Sequence, residues 1–286
     1  MRFPTRLLPK RFRKDEVAVP VVRIHGTIMS GGGPLRQSVS MASVAPLLDR
    51  AFAMKDAPAV AIQVNSPGGS PVQSRLIFQR IRDLAAEKNK HVIMFCEDVA
   101  ASGGYMIACA GDEIVADPSS IVGSIGVVSG GFGFVDLLGK IGVERRVHTA
   151  GTNKAILDPF RPERAEDVEH LKSLQAEIHE TFVDLVKTRR GGRLVDDPDL
   201  FSGLFWSGTR GRALGLVDRL GDLRSVLRER YGDKVRPVMM QARRGLFGTR
   251  APAPGIEGSA AAIGAGAVLQ IASLAEERAL WARYGL

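Results

Sequence analysis

Two serines and one lysine of this sequence lie in turns that contain glycine, an arrangement suited to nucleophilic catalysis. Ser102 lies between an apolar run, 91–95, and a small-residue helical pattern, and two glycines follow it. A serine at such a strand-to-helix junction projects its hydroxyl from the turn, beside helix N-terminal amides that favour a developing negative charge. Serine is also a preferred helix cap, so the local sequence alone does not separate a nucleophile from a cap.

A serine nucleophile needs a base to take its proton. No histidine occurs in residues 103–147, although His148 and His25 remain candidates in space. Lys154 lies in a polar loop directly after a predicted strand, 143–149, and we expect it to be the base. A lysine acts as a base only when neutral, so its site must lower the lysine pKa from about 10.4 to about 7–8. In isolation, a lysine on a loop would be interpreted as a surface residue.

Ser124 and two backbone amides complete the candidate site. Ser124 stands in its own glycine-flanked turn, where its hydroxyl would orient Lys154 without adding negative charge; the alternative is a turn serine bonded to backbone. The N–H groups of Gly69 and Gly103 would bind the oxyanion. Because turns after successive parallel strands gather at one edge of a sheet, we expect these residues and Ser102 to converge.

Strand-like and helix-like blocks alternate along the chain, which predicts βαβ units and a parallel sheet covered by helices. The longest helical pattern, 162–187, is amphipathic, and its polar-face histidines, His170 and His179, are expected to be solvated. The strand patterns are 17–24, 59–64, 91–95, 113–116, 121–128, 143–149 and 235–240, and further helical patterns are 44–54, 72–84, 132–141 and part of 208–221.

Composition excludes several function classes. The 286 residues are 45% hydrophobic and 24% charged, which is typical of a globular protein with a full core. The net charge is +8, but acids and bases are interleaved through most of the chain, so we expect no nucleic-acid partner. Cys96 and Cys109 lie in apolar surroundings, which predicts buried thiols. The histidines have no zinc-site spacing, and we expect no metal and no cofactor.

Four motifs occur in one order along the chain. They are Asn65-Ser66-Pro67-Gly68-Gly69, Ala101-Ser102-Gly103-Gly104-Tyr105, Gly123-Ser124-Ile125-Gly126-Val127, and Lys154 with Asp158-Pro159-Phe160. Together they resemble the signal peptide peptidase A family of serine peptidases, in its short form, over about residues 17–231. The resemblance implies an α/β fold of the Clp protease and crotonase type, a β-α spiral that assembles into ring- or dome-shaped homo-oligomers.

The same resemblance implies a serine endopeptidase with a Ser/Lys dyad. Ser102 would be the nucleophile, Lys154 the general base, Ser124 the partner of the lysine, and Gly69 an oxyanion donor. The implied substrates are small or unfolded peptides, including signal-peptide remnants, cut after residues that fit a small apolar pocket.

We divide the chain into a basic arm (1–16), a peptidase domain (17–242), a Gly/Pro-rich linker (243–257) and an apolar tail (258–286), which we expect to be helical and to pack on another subunit. Membrane-bound members of the family carry an N-terminal transmembrane anchor, whereas residues 1–14 hold six basic residues and no acid. We therefore expect a cytoplasmic protein, with peripheral contact between the arm and the inner face of the membrane as one role and a solvated leader as the other.

Three alternatives stay open. A crotonase-type acyl-CoA enzyme would share the fold but would not need Ser102 and Lys154. A Clp-type Ser/His/Asp peptidase would need His148 or His25 near Ser102. A non-catalytic oligomeric scaffold would explain the long helix and the tail.

Overall fold

The computed structural model describes residues 16–30, 38–241 and 278–286, and these contain an eight-stranded sheet covered by helices. The strands are β1 (Ala18–His25), β2 (Ala59–Ser66), β3 (His91–Ala101), β4 (Glu113–Ala116), β5 (Ile121–Gly123), β6 (Phe205–Ser207), β7 (Arg219–Leu220) and β8 (Arg236–Met239). The helices are α1 (Met41–Phe52), α2 (Pro71–Lys88), α3 (Gly103–Ala108), α4 (Val135–Lys140), α5 (Ala165–Arg190), α6 (Gly208–Ala213) and α7 (Leu223–Tyr231), and residues 278–282 are also helical. The predicted α/β class is confirmed. The linker 243–257, the first fifteen residues of the arm and the tail up to residue 277 lie outside the described residues.

The sheet has the order β6-β5-β3-β2-β1-β8, and β4 pairs with β3 and β7. Every pair is parallel except β5 with β6. β3 is the branch point, because Ile93–Cys96 pair with β4 and Val99–Ala101 pair with β5. The last residues of β3 therefore stay in the main sheet beside β5, whereas β4 branches off, and β3 and β5 both end in a serine turn.

Asn65 stabilises the place where β3 changes partners. The register of β2 against β3 shifts between Val64 and Ser66, which interrupts the regular backbone ladder. The Asn65 side chain fills this gap, since its Nδ2 donates to Asp98 Oδ2 at 2.6 Å and its Oδ1 accepts from the Val99 amide at 3.2 Å. Asn65 thus holds the part of β3 that leads to Ser102.

Alternate residues of the strands point to opposite faces of the sheet, and each face has its own helices. On one face, Val22 and Ile62 pack with residues of α1, α2, α3 and α5 in the larger apolar cluster. On the other face, Val21 and Ala61 pack with Val226 and Leu227 of α7. Burial of each valine, leucine or isoleucine side chain contributes about 1.5–3 kcal/mol, so packing on both faces stabilises the sheet.

Three predicted elements differ from the structure. β3 extends to Ala101, whereas its pattern predicted 91–95, and β5 ends at Gly123, whereas its pattern ran to Val128. The predicted strand 143–149 is wrong, because these residues form no strand and Val143 is 51% exposed. Only Val143 and Val147 of this segment are apolar, and no strand of the described residues pairs with it.

Candidate active site

Ser102 occupies a strained turn between β3 and α3. Its φ is 51° and its ψ is −123°, a conformation that residues other than glycine rarely adopt. Although Ser102 stands at the N-cap position, its side chain makes no capping hydrogen bond. The helix-cap interpretation therefore does not account for this serine. A sharp strand-to-helix turn of this kind is a known way to present a nucleophilic hydroxyl.

A direct hydrogen bond connects the Ser102 turn to the Ser124 turn. The pairing of Ala101 with Gly123 brings the two serines side by side, and the Ser102 amide donates to the Gly123 carbonyl at 2.9 Å. Ser124 also has a positive φ of 52° and is only 4% exposed. Its amide donates to the Leu204 carbonyl at 2.7 Å, so the second turn is fixed by the chain that precedes β6. The structure confirms that these two serine turns are neighbours.

Glycine at position 68 allows a third turn to approach Ser102. A Cβ built on Gly68 would lie 2.7 Å from Ser102 Cβ and 2.9 Å from the Gly103 amide nitrogen, distances that no side chain tolerates. Gly69 forms a parallel bridge with Ile28, in which the Ile28 amide donates to the Gly68 carbonyl and the Ser70 amide donates to the Ile28 carbonyl. Since successive amides of an extended chain point in opposite directions, the Gly69 amide faces away from Ile28.

Ser102 and Ser124 border a common cavity of about 330 Å³. His179 of α5 also lines it, and a ring nitrogen of His179 lies 3.1 Å from the Ile125 carbonyl oxygen. His179 is thus half-buried at the cavity wall, whereas the sequence predicted a solvated side chain. The amphipathic pattern of α5 did not predict that His179 borders the cavity, because such a pattern identifies only the apolar face of a helix. The other lining residues are Gly126, Val127, Val128, Gln175, Ala176, Ser202, Gly203 and Arg283.

Lys154 is not among the residues that line this cavity. It is exposed on a loop that follows residues 143–149, where the sequence predicted a strand. Its amide donates to the Gly151 carbonyl at 3.2 Å. His148 and His25 are also exposed and outside the cavity. Within one chain, the structure thus brings Ser102, Ser124, Gly69 and Gly103 together, but it does not bring Lys154 to them.

The loop that carries Lys154 belongs to a folded segment of its own, residues 127–164. Phe134 stacks on Phe160 at 5.4 Å between ring centroids, and the Phe134 amide donates to the Pro159 carbonyl at 2.7 Å. Arg145 Nε donates to Asp158 at 2.8 Å, and this hydrogen bond lowers the pKa of Asp158. We call these residues the Lys154 segment. Its internal contacts hold the lysine on a defined structure.

A buried ion pair supports α3 from below. Arg190 is 3% exposed, and its guanidinium donates to both oxygens of Asp218 and to the Gly215 carbonyl. Tyr105, three residues after Ser102, donates its hydroxyl to the Leu216 carbonyl at 2.8 Å.

Both cysteines are buried free thiols, as predicted, and burial raises the pKa of each thiol to about 12. These thiols are therefore not the nucleophile.

Among the residues that the structure describes, no helix has both the length and the apolar composition needed to cross a membrane.

Comparison with known proteins gives relatives of several kinds. A protein named Na(+)/H(+) antiporter NhaA, from Brucella abortus, is 63% identical over 98% of this chain, but the chain spans only 39% of the length of that relative. The serine protease SPPA of Arabidopsis thaliana chloroplasts is 32% identical over 73% of this chain and 31% of its own length. Protease 4 of Haemophilus influenzae is 32% identical over 75% of this chain and 35% of its own length.

The sequence model of peptidase family S49 matches residues 85–234, more than half of the chain. This range includes the turns of Ser102 and Ser124, the Lys154 segment and helix α5. The match and the protease relatives confirm the resemblance of the four motifs to the signal peptide peptidase A family. The chain belongs to peptidase family S49.

Proposed function

We propose that this chain is a serine endopeptidase that hydrolyses small or unfolded peptides, with Ser102 as nucleophile and Lys154 as general base. The observation that carries this proposal is the backbone of Ser102, which is strained and leaves the hydroxyl free of any capping role. Such strain costs about 1–3 kcal/mol and is retained mainly at functional sites. Membership of a peptidase family supports the same reaction.

In the proposed mechanism, Ser102 Oγ attacks the carbonyl carbon of the scissile bond while a neutral lysine amine takes the hydroxyl proton. The amides of Gly69 and Gly103 donate to the carbonyl oxygen as it becomes negative. The protonated lysine then gives its proton to the leaving amine, and water, deprotonated by the same lysine, hydrolyses the acyl-enzyme. Ser124 accepts a hydrogen bond from the lysine amine and holds it towards Ser102.

We further propose that the lysine comes from a second copy of this chain. Lys154 is exposed, and the Lys154 segment also exposes apolar side chains: Phe132 is 75% exposed, Ile141 61% and Leu137 51%. Helix α4 of this segment buries none of its residues. An exposed apolar patch of this kind is typical of an interface, and a second copy that covers it would also exclude water from the lysine.

Loss of each dyad residue tests the reaction. Ser102→Ala and Lys154→Ala are each expected to lower peptide hydrolysis by more than about a thousandfold, with the oligomeric state unchanged. Lys140→Ala is the matched control, because Lys140 is an exposed lysine of the same segment, and it should retain activity. Retained hydrolysis in Lys154→Ala would exclude this lysine as the base. Failure of a peptide library and of a fluorophosphonate to react with Ser102 would favour the scaffold interpretation.

Mixing the two inactive variants tests whether one site uses two copies. After denaturation and refolding together in equal amounts, a Ser102→Ala chain supplies an intact lysine to a Lys154→Ala chain. Random assembly should restore about one quarter of the wild-type activity. If both dyad residues belong to the same chain, the mixture should remain inactive.

A histidine base is the second candidate, and one observation favours it: His179 borders the cavity of Ser102 and Lys154 does not. Substitution of the histidine separates the two. His179→Gln should retain hydrolysis if the lysine is the base.

A further inference from the structure

Helix α5 turns two polar side chains inward beside the candidate active site. Gln175 and His179 lie one helical turn apart, are half-buried, and line the cavity that contains Ser102. The apolar residues directly before them, Leu174 and Ile178, are 42% and 38% exposed. An amphipathic helix normally has the opposite arrangement, with its apolar side chains inward. This part of α5 therefore faces a polar cavity rather than the apolar core.

The hydrogen bond of His179 determines which of its ring nitrogens can accept. Nε2 lies 3.1 Å from the Ile125 carbonyl oxygen, and because a carbonyl oxygen only accepts, Nε2 carries the proton. In the neutral ring Nδ1 is then an acceptor, and none of the described residues donates to it. The same hydrogen bond ties the ring to the residue after Ser124, so His179 stays beside the two serine turns.

The Gln175 side chain makes no hydrogen bond to any residue that the structure describes, and its amide offers two donor hydrogens and an acceptor oxygen. Other parts of the cavity wall offer less. A Cβ built on Gly126 would lie 3.0 Å from Gly203 Cα, so two glycines meet there without side chains. Ser202 already donates its hydroxyl to a carbonyl of its own turn. The two α5 side chains thus leave hydrogen bonds open to a ligand.

A ligand side chain that enters the cavity displaces solvent from Gln175 and from His179 Nδ1. An apolar side chain would return no hydrogen bond to either group, which lowers its affinity. A carboxamide returns both, because its NH₂ group donates to Nδ1 while its donors and acceptor complement those of the Gln175 amide. The cavity, with about 330 Å³, is large enough for such a side chain.

We propose that Gln175 and His179 form a polar subsite next to Ser102 for a peptide residue with an amide side chain, asparagine or glutamine. This proposal rests on the proposed peptidase function and narrows its substrates to peptides with such a residue near the scissile bond. The subsite differs from the small apolar pocket that the family resemblance implies. Gln175 sets the preference for an amide over an apolar side chain, and His179 accepts from the amide while its Nε2 holds the Ile125 carbonyl.

Binding of two nearly isosteric peptides to inactive protein tests the proposal without any need for hydrolysis. The probes are fluorescein-labelled Ala-Ala-Ala-Asn-Ala-Ala-Ala and the same peptide with leucine in place of asparagine, and the protein is the full chain with Ser102→Ala. Because alanine fills every other position, each peptide can place its one larger side chain in the subsite. Fluorescence anisotropy should show at least about fivefold tighter binding of the asparagine peptide, as one or two added hydrogen bonds would give.

Substitutions on α5, each added to Ser102→Ala, connect this preference to the subsite. Gln175→Met retains the length of the side chain but removes its hydrogen bonds, and it should reduce the preference to less than about twofold. His179→Leu should have the same effect, whereas His179→Gln, which has a donor for the Ile125 carbonyl and an acceptor, should keep most of the preference. Lys172→Met is the matched control, because Lys172 is exposed on the same helix and outside the cavity, and it should bind both peptides as its parent does.

The proposal is overturned if the asparagine peptide does not bind, if it binds no tighter than the leucine peptide, or if its advantage survives Gln175→Met. A different result would overturn the peptidase function alone. In that case the preference is present and is lost in Gln175→Met, but protein with Ser102 intact hydrolyses no peptide and does not react with a fluorophosphonate.

Discussion

Gly68→Ala should damage both the stability of the protein and the reactivity of Ser102. The φ of Gly68 is +103°, and holding alanine in such a conformation costs about 1–3 kcal/mol. The new methyl carbon would also lie 2.7 Å from Ser102 Cβ and 2.9 Å from the Gly103 nitrogen, and an overpacked contact of this kind costs about 1–3 kcal/mol more. We therefore expect a loss of about 2–6 kcal/mol in the free energy of unfolding, with displacement of the Ser102 turn.

Two control variants separate these contributions. Gly232→Ala has the same backbone problem, with φ +86°, but its Cβ would meet nothing within 4 Å, so only the conformational cost applies. The Cβ of Gly139→Ala would also meet nothing within 4 Å, and this variant should be neutral or more stable by up to about 1 kcal/mol. Urea unfolding gives the stabilities, and the rate of fluorophosphonate labelling reports on Ser102. The reasoning is refuted if Gly68→Ala is no less stable than Gly232→Ala and labels as fast as the wild type.

Two other variants probe the strain and the buried ion pair. Ser102→Gly should be more stable to urea than Ser102→Ala by about 1 kcal/mol, because only glycine adopts the backbone of residue 102 without strain; equal stabilities would show that the turn is not strained. Asp218→Asn should cost about 3–5 kcal/mol at pH 7, because it leaves the buried Arg190 without its counter-ion. Burial acts in the opposite direction, but hydrogen bonds from Arg190 and the Ile114 amide lower the pKa of Asp218 below its ordinary value of 3.8. The stabilisation is therefore complete above that pH and is lost as the pH falls through the folded-state pKa, so urea titrations of wild type and variant should converge in acid. A difference that does not depend on pH would contradict this account.

The sequence predicted the features that depend on local pattern. Apolar runs identified β1, β2 and β4, and the parallel arrangement then predicted that the turns of Ser102 and Ser124 would meet. It could not predict the strained backbone of Ser102, because a cap and a nucleophile share the same local sequence. It could not identify His179 either, since only the packing of α5 decides which polar residue borders the cavity.

The position of Lys154 could not be predicted from the sequence. The predicted strand before it, 143–149, has no partner strand among the described residues, and a strand without a partner leaves its backbone groups unpaired. The Lys154 segment is stabilised by its own aromatic and Arg145 contacts, with an apolar surface exposed. Patterns within a single sequence do not show what covers such a surface.

The bond between the Ser124 amide and the Leu204 carbonyl has a consequence for the order in which the protein is built. Domains fold as their residues emerge during synthesis, and contacts between residues far apart along the chain form slowly. A nascent chain that has emerged only as far as α5 already contains Ser102 and Lys154, but it lacks β6 and the residues that fix the turn of Ser124. Assembly of the candidate catalytic centre therefore has to wait for the second half of the domain, so a ribosome-bound fragment does not yet have a complete site.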